Sequence, residues 1–253
     1  MNSQTTSQLG TLYLIPNTLG VYGTDGAQDT LRAVLAPQVV ETTARLQHFV
    51  VETAKVARQF LKAVGTHTPL QELQLTELNV KTPDAAVKDM LAPLLAGHDV
   101  GLLSDAGCPA VADPGARLVE AAHAADVRVV PLVGPSSLLL ALMGSGLNGQ
   151  KFAFHGYLPI DAAARLKEIK RLESESKAHA QTQLFIETPY RNMQLLDTLL
   201  KTLNANTQLC VAADLTLPSE TIRMHRVGEW QKRLKQGQGL ALNKRPSIFL
   251  FLA

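Results

Sequence analysis

The chain has 253 residues, 46% of them hydrophobic and 18% charged, with a formal net charge of +2. That length holds one large α/β domain or two medium ones, and the composition is that of a folded globular protein rather than a disordered one. The balance of 24 basic against 22 acidic residues argues against a broad nucleic-acid surface, though a modest local patch is compatible with it.

Two cysteines, Cys108 and Cys210, make neither a disulfide framework nor a metal site. Cys108 reads either as a small packing residue or as a reactive thiol. The longest apolar runs, such as 137–143, fall far short of the roughly 20 residues a membrane span needs. The polar start, 1–10, lacks the layout of a signal peptide and reads as a disordered N-terminus. A cytoplasmic protein with no membrane partner is expected.

In chain order, 11–15 reads as a first strand, ended by Pro16-Asn17-Thr18-Leu19-Gly20. A helix over 38–46, a strand over 48–52 and a helix over 53–64 follow, the last with Val56, Phe60 and Leu61 at near-helical spacing. Residues 73–80 alternate as a half-buried strand. Thr82 is the expected N-cap of a helix with Pro83 at its first position, closed by Gly97. Then come a strand (99–104), a loop, a helix (116–125) and a strand (127–133), a βαβ unit with parallel strands. A helix over 136–147 leads to Gly144, Gly146 and Gly149, where a domain joint is placed. The domains are therefore read as 11–148 and 149–253.

The second half has a different texture. Strands are expected at 151–158, 183–187, 208–215, 220–227 and 247–252, with helices at 162–180, 189–203 and from Trp230. The 208–215 and 220–227 strands are close enough to pair as a hairpin. The first half reads as parallel α/β and the second as helices on a largely antiparallel sheet.

Two turns carry the chemistry: Ser104-Asp105-Ala106-Gly107-Cys108-Pro109-Ala110-Val111-Ala112-Asp113-Pro114-Gly115, and Val133-Gly134-Pro135-Ser136-Ser137. Each follows an apolar strand and enters a helix, the place where open α/β sheets bind ligands. The glycine pattern of a dinucleotide site and the Gly-Lys of a P-loop are both missing. The first loop instead offers two carboxylates, Asp105 and Asp113, which suit a positive group. Ser136 and Ser137, at a helix start, suit an anion. A ligand with ammonium or sulfonium, carboxylate and adenosine answers both, namely S-adenosylmethionine. Alternatively, Asp105 and Ser136 are plain turn formers and caps.

These two segments resemble the tetrapyrrole methylase family of S-adenosylmethionine-dependent methyltransferases, closest to its ribosomal RNA small-subunit methyltransferase I branch. Phe152-Ala153-Phe154-His155-Gly156-Tyr157-Leu158-Pro159, Leu184-Phe185-Ile186-Glu187-Thr188-Pro189-Tyr190-Arg191 and Ala213-Asp214-Leu215-Thr216 with Glu220-Thr221 resemble further motifs of that branch, in order. The resemblance implies a two-domain α/β fold, with a parallel-sheet N-terminal domain, a mixed-sheet C-terminal domain and the cofactor in the cleft between them. It implies that Asp105, Ala106, Gly107 and Pro109 line the cofactor, that Gly134, Pro135, Ser136 and Ser137 hold its methionine end, and that Glu187, Thr188, Ala212 and Ala213 close over the adenosine.

The chain departs from the branch at 16–20, at Ala213-Asp214 in place of Arg-Glu, and at His155 in place of Glu. All these departures lie where RNA would be gripped. A methyl transfer to a ribose hydroxyl benefits from a base, and Glu187, Asp105 and His155 are the candidates. Glu187 alternatively pairs with Arg191 to fix the turn, His155 alternatively is a hydrogen-bonded strand residue, and Arg191 contacts either a substrate phosphate or Glu187. Lys167, Lys170 and Arg171 line one helix as a solvated face or an RNA contact. The activity implied is ribose 2′-O-methylation of ribosomal RNA by a homodimer. The alternatives are a methyltransferase for a tetrapyrrole or other small molecule, and a non-catalytic cofactor-binding relative.

Overall fold

The computed structural model describes residues 8–20 and 27–253. Most of the expected disordered start, residues 1–7, lies outside the described residues. Gly10 is hydrogen-bonded from its N–H to Leu94 O at 2.8 Å. The chain divides into two compact units, Met1–Ser136 and Ser137–Ala253.

Five parallel strands form the sheet of the first unit: β1 (Thr11–Ile15), β2 (His48–Val51), β3 (Gln74–Glu77), β4 (Val100–Leu103) and β5 (Arg128–Pro131), in the order β3-β2-β4-β1-β5. The largely apolar β1, β2 and β4 fit the centre of a sheet covered on both faces, while the edge strands β3 and β5 are more polar and exposed. Phe49 and Val51 of β2 and Ile15 of β1 pack with Leu31, Leu35, Phe60 and Leu61. These come from α1 (Ala27–Val34), the residue just after it, and α3 (Ala54–Val64), with α2 (Pro37–Arg45) between the two helices. On the opposite face, Leu12, Val50 and Leu102 meet Val87, Leu94 and Leu118 from α4 (Asp84–Asp89), α5 (Ala92–Leu95) and α6 (Ala116–Ala124).

Period-2 alternation along each strand splits the two cores cleanly. The chain leaves β2 towards β3 at one edge and leaves β4 across β1 towards β5 at the other. The topological switch point therefore lies between the carboxyl ends of β2 and β4.

Two features differ from the sequence reading. The helix expected after Thr82 is two short ones, because Pro93 has no N–H to continue the ladder. Thr82 is not its cap: Pro83 holds that place, and the Thr82 hydroxyl accepts from Asn79 N–H at 3.0 Å. In addition, α1 forms where the sequence reading has no element.

The second unit opens with α7 (Ser137–Ser145), followed by β6 (Phe152–Tyr157), α8 (Ala162–His179), β7 (Thr182–Ile186), α9 (Asn192–Thr202), β8 (Gln208–Ala213), β9 (Thr221–Arg226), α10 (Val227–Lys235) and β10 (Ser247–Leu252). Strand order is β6-β7-β10-β8-β9; β6 and β7 are parallel and every other pair is antiparallel. The expected hairpin is present, with Ala213 opposite Thr221.

One face carries Phe185, Leu209, Val211, Phe249 and Phe251 against Ile169, Leu195, Leu199 and Trp230. α7 packs on β8, β9 and β10 over the other face. For that reason the division between units falls at Ser136/Ser137, upstream of the glycines at 144–149.

Candidate active site

Four strand ends of the first unit converge at one edge of the parallel sheet. After β1, Asn17 N–H donates to Gly107 O at 2.8 Å, and Gly107 N–H donates back to Thr18 O at 3.3 Å. The Asn17 side-chain amide also donates to Ser104 O and Asp105 O, each at 3.1 Å. The loop after β4 is thus tied along its first turn to the loop after β1. Gly107 has φ +68, a left-handed conformation that a side chain would strain.

The loop after β5 joins the same cluster. Cys108 Sγ lies 3.5 Å from Pro135 O. A Cβ on Gly134 would fall 2.2 Å from Pro16 Cβ, so only glycine lets these two turns approach. Burial pushes the Cys108 thiol above its ordinary range, which favours the thiol over the thiolate. Asp105, Ala106, Gly107, Pro109, Gly134, Pro135 and Ser136 are therefore brought together. Ser137 is the next residue along the chain and starts α7.

Asp105 is half-buried. Its backbone N–H donates to Glu52 Oε2 at 3.0 Å, and its Oδ2 accepts from Thr53 Oγ1 at 2.8 Å. Glu52 and Thr53 follow β2, so this pair bridges the switch point. Burial raises Glu52 above the usual carboxylate range; the bond from Asp105 N–H opposes this, and the charges of Asp105 and Asp113 reinforce it. Among the described residues, neither Glu52 nor Asp105 has a Lys, Arg or His in ion-pair range. Two crowded carboxylates without a cation suit a positively charged ligand.

Asp113 has a different task. Its Oδ1 accepts from Ala110 N–H at 2.9 Å and from Gly115 N–H at 2.7 Å, closing a turn in which Ala110 and Ala112 have φ +66 and +61. Burial raises this carboxyl too, against the pull of those N–H bonds. It shapes the loop.

Glu52, Thr53 and Asn17 are missing from the sequence-derived set. The available signal was positional: Glu52-Thr53 ends a strand that had been read correctly and starts the next helix.

In the second unit, Glu187 is buried just after β7, and its Oε1 accepts from Arg191 Nε at 3.0 Å, Arg191 NH2 at 2.7 Å and Thr188 N–H at 2.6 Å. The turn-fixing pair is the geometry observed. His155 Nε2 lies 2.6 Å from Gln183 Oε1, while Gln183 Nε2 donates to Gln181 O. With its amide N–H committed to Gln181, Gln183 offers its Oε1 to His155 Nε2 as an acceptor and orients the ring. Ala212 and Ala213 are fully buried, with their side chains on opposite faces of the sheet. Lys167 and Lys170 are exposed on α8, and Arg171 is tied to Glu168 and Glu175.

Arg165, on the same helix, is 5% exposed, and its Nε has no partner among the described residues. In sequence it reads as one more charge on a charged helix, which is why it was not singled out.

A family model described as tetrapyrrole (corrin/porphyrin) methylases matches residues 26–231. The chain belongs to the tetrapyrrole methylase family. This methylase is accordingly an S-adenosylmethionine-dependent methyltransferase. It is 31% identical over 234 residues to the ribosomal RNA small subunit methyltransferase I of Escherichia coli O157:H7, covering 90% of this chain and 73% of that one. To the protein of the same name from Vibrio cholerae it is 32% identical, covering 84% and 67%.

Among solved structures, the methyltransferase CobJ superposes with a TM-score of 0.59 at 17% identity, covering 95% of this chain and 93% of that one. Uroporphyrin-III-C-methyltransferase from Thermus thermophilus superposes with a TM-score of 0.52 at 20% identity, covering 96% and 92%. At these identities the likeness of the methylase to the two structures is one of fold. Among its described residues no helix is long and apolar enough to cross a membrane.

Proposed function

We propose that this methylase transfers a methyl group to a ribose 2′-hydroxyl of small-subunit ribosomal RNA, acting in the cytoplasm as a homodimer. The observation that carries the donor side is the Glu52–Asp105 pair, two carboxylates at the switch point with no counter-ion among the described residues. The ribosomal RNA acceptor rests on the relatives named ribosomal RNA small subunit methyltransferase I; the ribose hydroxyl, the compartment and the dimer rest on the resemblance of the sequence motifs to that branch.

The residues fit the donor. Asp105, supported by Glu52, faces its positive charge; Gly107, Ala106 and Pro109 give a main-chain wall; Gly134, Pro135, Ser136 and Ser137 take its carboxylate. When bound, S-adenosylmethionine supplies an electrophilic methyl carbon on a sulfonium sulfur. Asp113 keeps the loop in shape through Ala110 and Gly115. Thr188, Ala212 and Ala213 are the second unit's candidates for the adenosine side.

For the acceptor, alignment is the main requirement. Glu187 is held by three N–H groups, so it orients Arg191 for a phosphate. His155 is the better candidate base, because Glu187 is already engaged by three N–H groups while Gln183 holds only one nitrogen of the His155 ring.

Calorimetry with S-adenosylmethionine and S-adenosylhomocysteine, on wild type and Asp105→Ala, tests the donor site. Incubation with radiolabelled donor and small ribosomal subunits then tests the acceptor. The expected product is a label in RNA that survives alkali as a dinucleotide, since strand cleavage needs a free 2′-hydroxyl. Label in an added tetrapyrrole and none in RNA would reverse the acceptor assignment.

A further inference from the structure

The near-neutral total charge conceals a strong local asymmetry. Residues 221–245 contain seven Lys and Arg and one acid, Glu229, leaving 17 basic against 21 acidic residues in the rest of the chain. This segment builds β9, α10 and the turn that follows. Among the described residues β9 pairs only with β8, which makes it an edge strand of the second unit's sheet. Arg223 and His225 lie opposite Val211 and Leu209, which places both on the α10 side.

α10 ends at Gly237, whose φ of +75 lets Gln238 N–H reach back to Arg233 O at 2.9 Å. The result is a polar cleft of about 620 Å³ lined by Arg223, His225, Arg233, Gln238 and Gly239. Arg233 Nε is 3.0 Å from Glu229, and its NH1 is 3.5 Å from Gln238 Oε1. Among the described residues no carboxylate lies in ion-pair range of Arg223, Lys232 or Lys235. Burial and then Arg233 hold His225 below the ordinary histidine range, opposed by Glu229 and reinforced by Arg223. Two arginines thus line the cleft, and among the described residues Glu229 is the one carboxylate paired with either of them; Arg245, further along the segment, is paired with Asp214.

We infer that this β9–α10 cleft grips the phosphodiester backbone of the RNA substrate, with Arg223 and Arg233 as its phosphate contacts; this rests on the RNA acceptor proposed above. Arginines on an exposed edge strand also discourage edge-to-edge pairing. That role, however, calls for no arginine on a neighbouring helix and no cleft between strand and helix. Guanidinium forks match phosphate oxygens, and such contacts position a strand without reading its sequence.

The test uses the full chain and a fluorescein-labelled 20-nucleotide RNA of mixed sequence, followed by anisotropy from 50 to 200 mM KCl. Arg223→Gln with Arg233→Gln is expected to weaken binding by roughly tenfold at low salt and to lower the salt slope by between about one and two. Glu229→Gln is expected to tighten it, and the double lysine variant to restore most of it. S-adenosylhomocysteine binding, measured in parallel by calorimetry, should be equal in all four proteins.

Unchanged RNA affinity in the double glutamine variant overturns the inference, as does displacement of the RNA by millimolar inorganic phosphate irrespective of RNA length. A protein that binds this RNA through the cleft yet transfers no methyl group to subunits would sink the proposed acceptor and leave the cleft standing. Both arginines line an open surface, so loss of binding together with loss of fold is not expected, and circular dichroism checks it.

Discussion

Across 53 residues of sequence, the backbone N–H of Asp105 donates to Oε2 of Glu52 at 3.0 Å, joining the ends of two adjacent parallel strands. The bond sets one carboxylate beside another at the point where the sheet reverses its winding. The folded protein tolerates that crowding because the pair is half-exposed, and a cationic ligand relieves it.

The crowding has a pH signature. Glu52 is raised in the folded state by burial and by Asp105 and Asp113. A carboxyl raised above its unfolded value contributes stability that is complete below the ordinary Glu range and is lost as pH rises through the folded-state value. Thermal melting from pH 8 to pH 5 should therefore show wild type gaining on Glu52→Gln as pH falls. An unchanged difference across that range contradicts the assignment.

The same pair should select for charge in the ligand. In Glu52→Gln the preference for S-adenosylmethionine over the uncharged-sulfur product S-adenosylhomocysteine is expected to fall about fivefold, the ratio that ~1 kcal/mol produces for a partly exposed charge pair. Calorimetry of both ligands on both proteins measures it. An equal loss for the two would point to loop distortion instead.

Gly134 is a steric requirement. The Cβ of Gly134→Ala would sit 2.2 Å from Pro16 Cβ, and the turns after β1 and β5 would have to separate. Urea unfolding should register a loss of about 1–3 kcal/mol, accompanied by weaker donor binding.

Glu187 and Arg191 should behave as one unit. Arg191→Ala leaves a buried carboxylate short of two charged hydrogen bonds and is expected to cost about 2–3 kcal/mol. The Glu187→Gln, Arg191→Ala double variant should cost less than the sum of the singles. If Glu187 were instead the base, Glu187→Gln would abolish methyl transfer at unchanged stability, while His155→Ala would spare it.

Arg165 separates structure from function. Its Nε is buried without a partner, so Arg165→Met should leave urea stability within about 1 kcal/mol or raise it. Reduced methyl transfer to ribosomal subunits by that variant, with donor binding intact, would mark it as an acceptor contact.

Much of the fold was present in local patterns. The strands at Thr11–Ile15, Val100–Leu103 and Ser247–Leu252 follow from apolar runs, and the hairpin of β8 and β9 from the short span between them. The break between α4 and α5 was also written in the sequence, at Pro93, whose missing N–H ends the ladder whatever surrounds it.

The site was legible only in part. Asp105, Gly107, Gly134 and Ser136 lie in loops whose Gly, Pro and Ser content announces a turn at a strand's end. Glu52, 53 residues away, becomes their neighbour only because β2 and β4 pair in register from His48 opposite Val100 to Val51 opposite Leu103. Likewise Asp105 and Asp113 look alike in sequence. Only the fold assigns one to the switch point and the other to its own loop's N–H groups.

Residue type and spacing determine turns, periodicity and the chemistry on offer, because these are short-range steric and hydrogen-bonding effects. Which carboxylates crowd together, which arginine Nε lies buried without a partner among the described residues and where Arg223 and Arg233 come to line one cleft depend on long-range pairing. That pairing is set by burial of two sheets' faces, a property of the whole chain that no single segment carries.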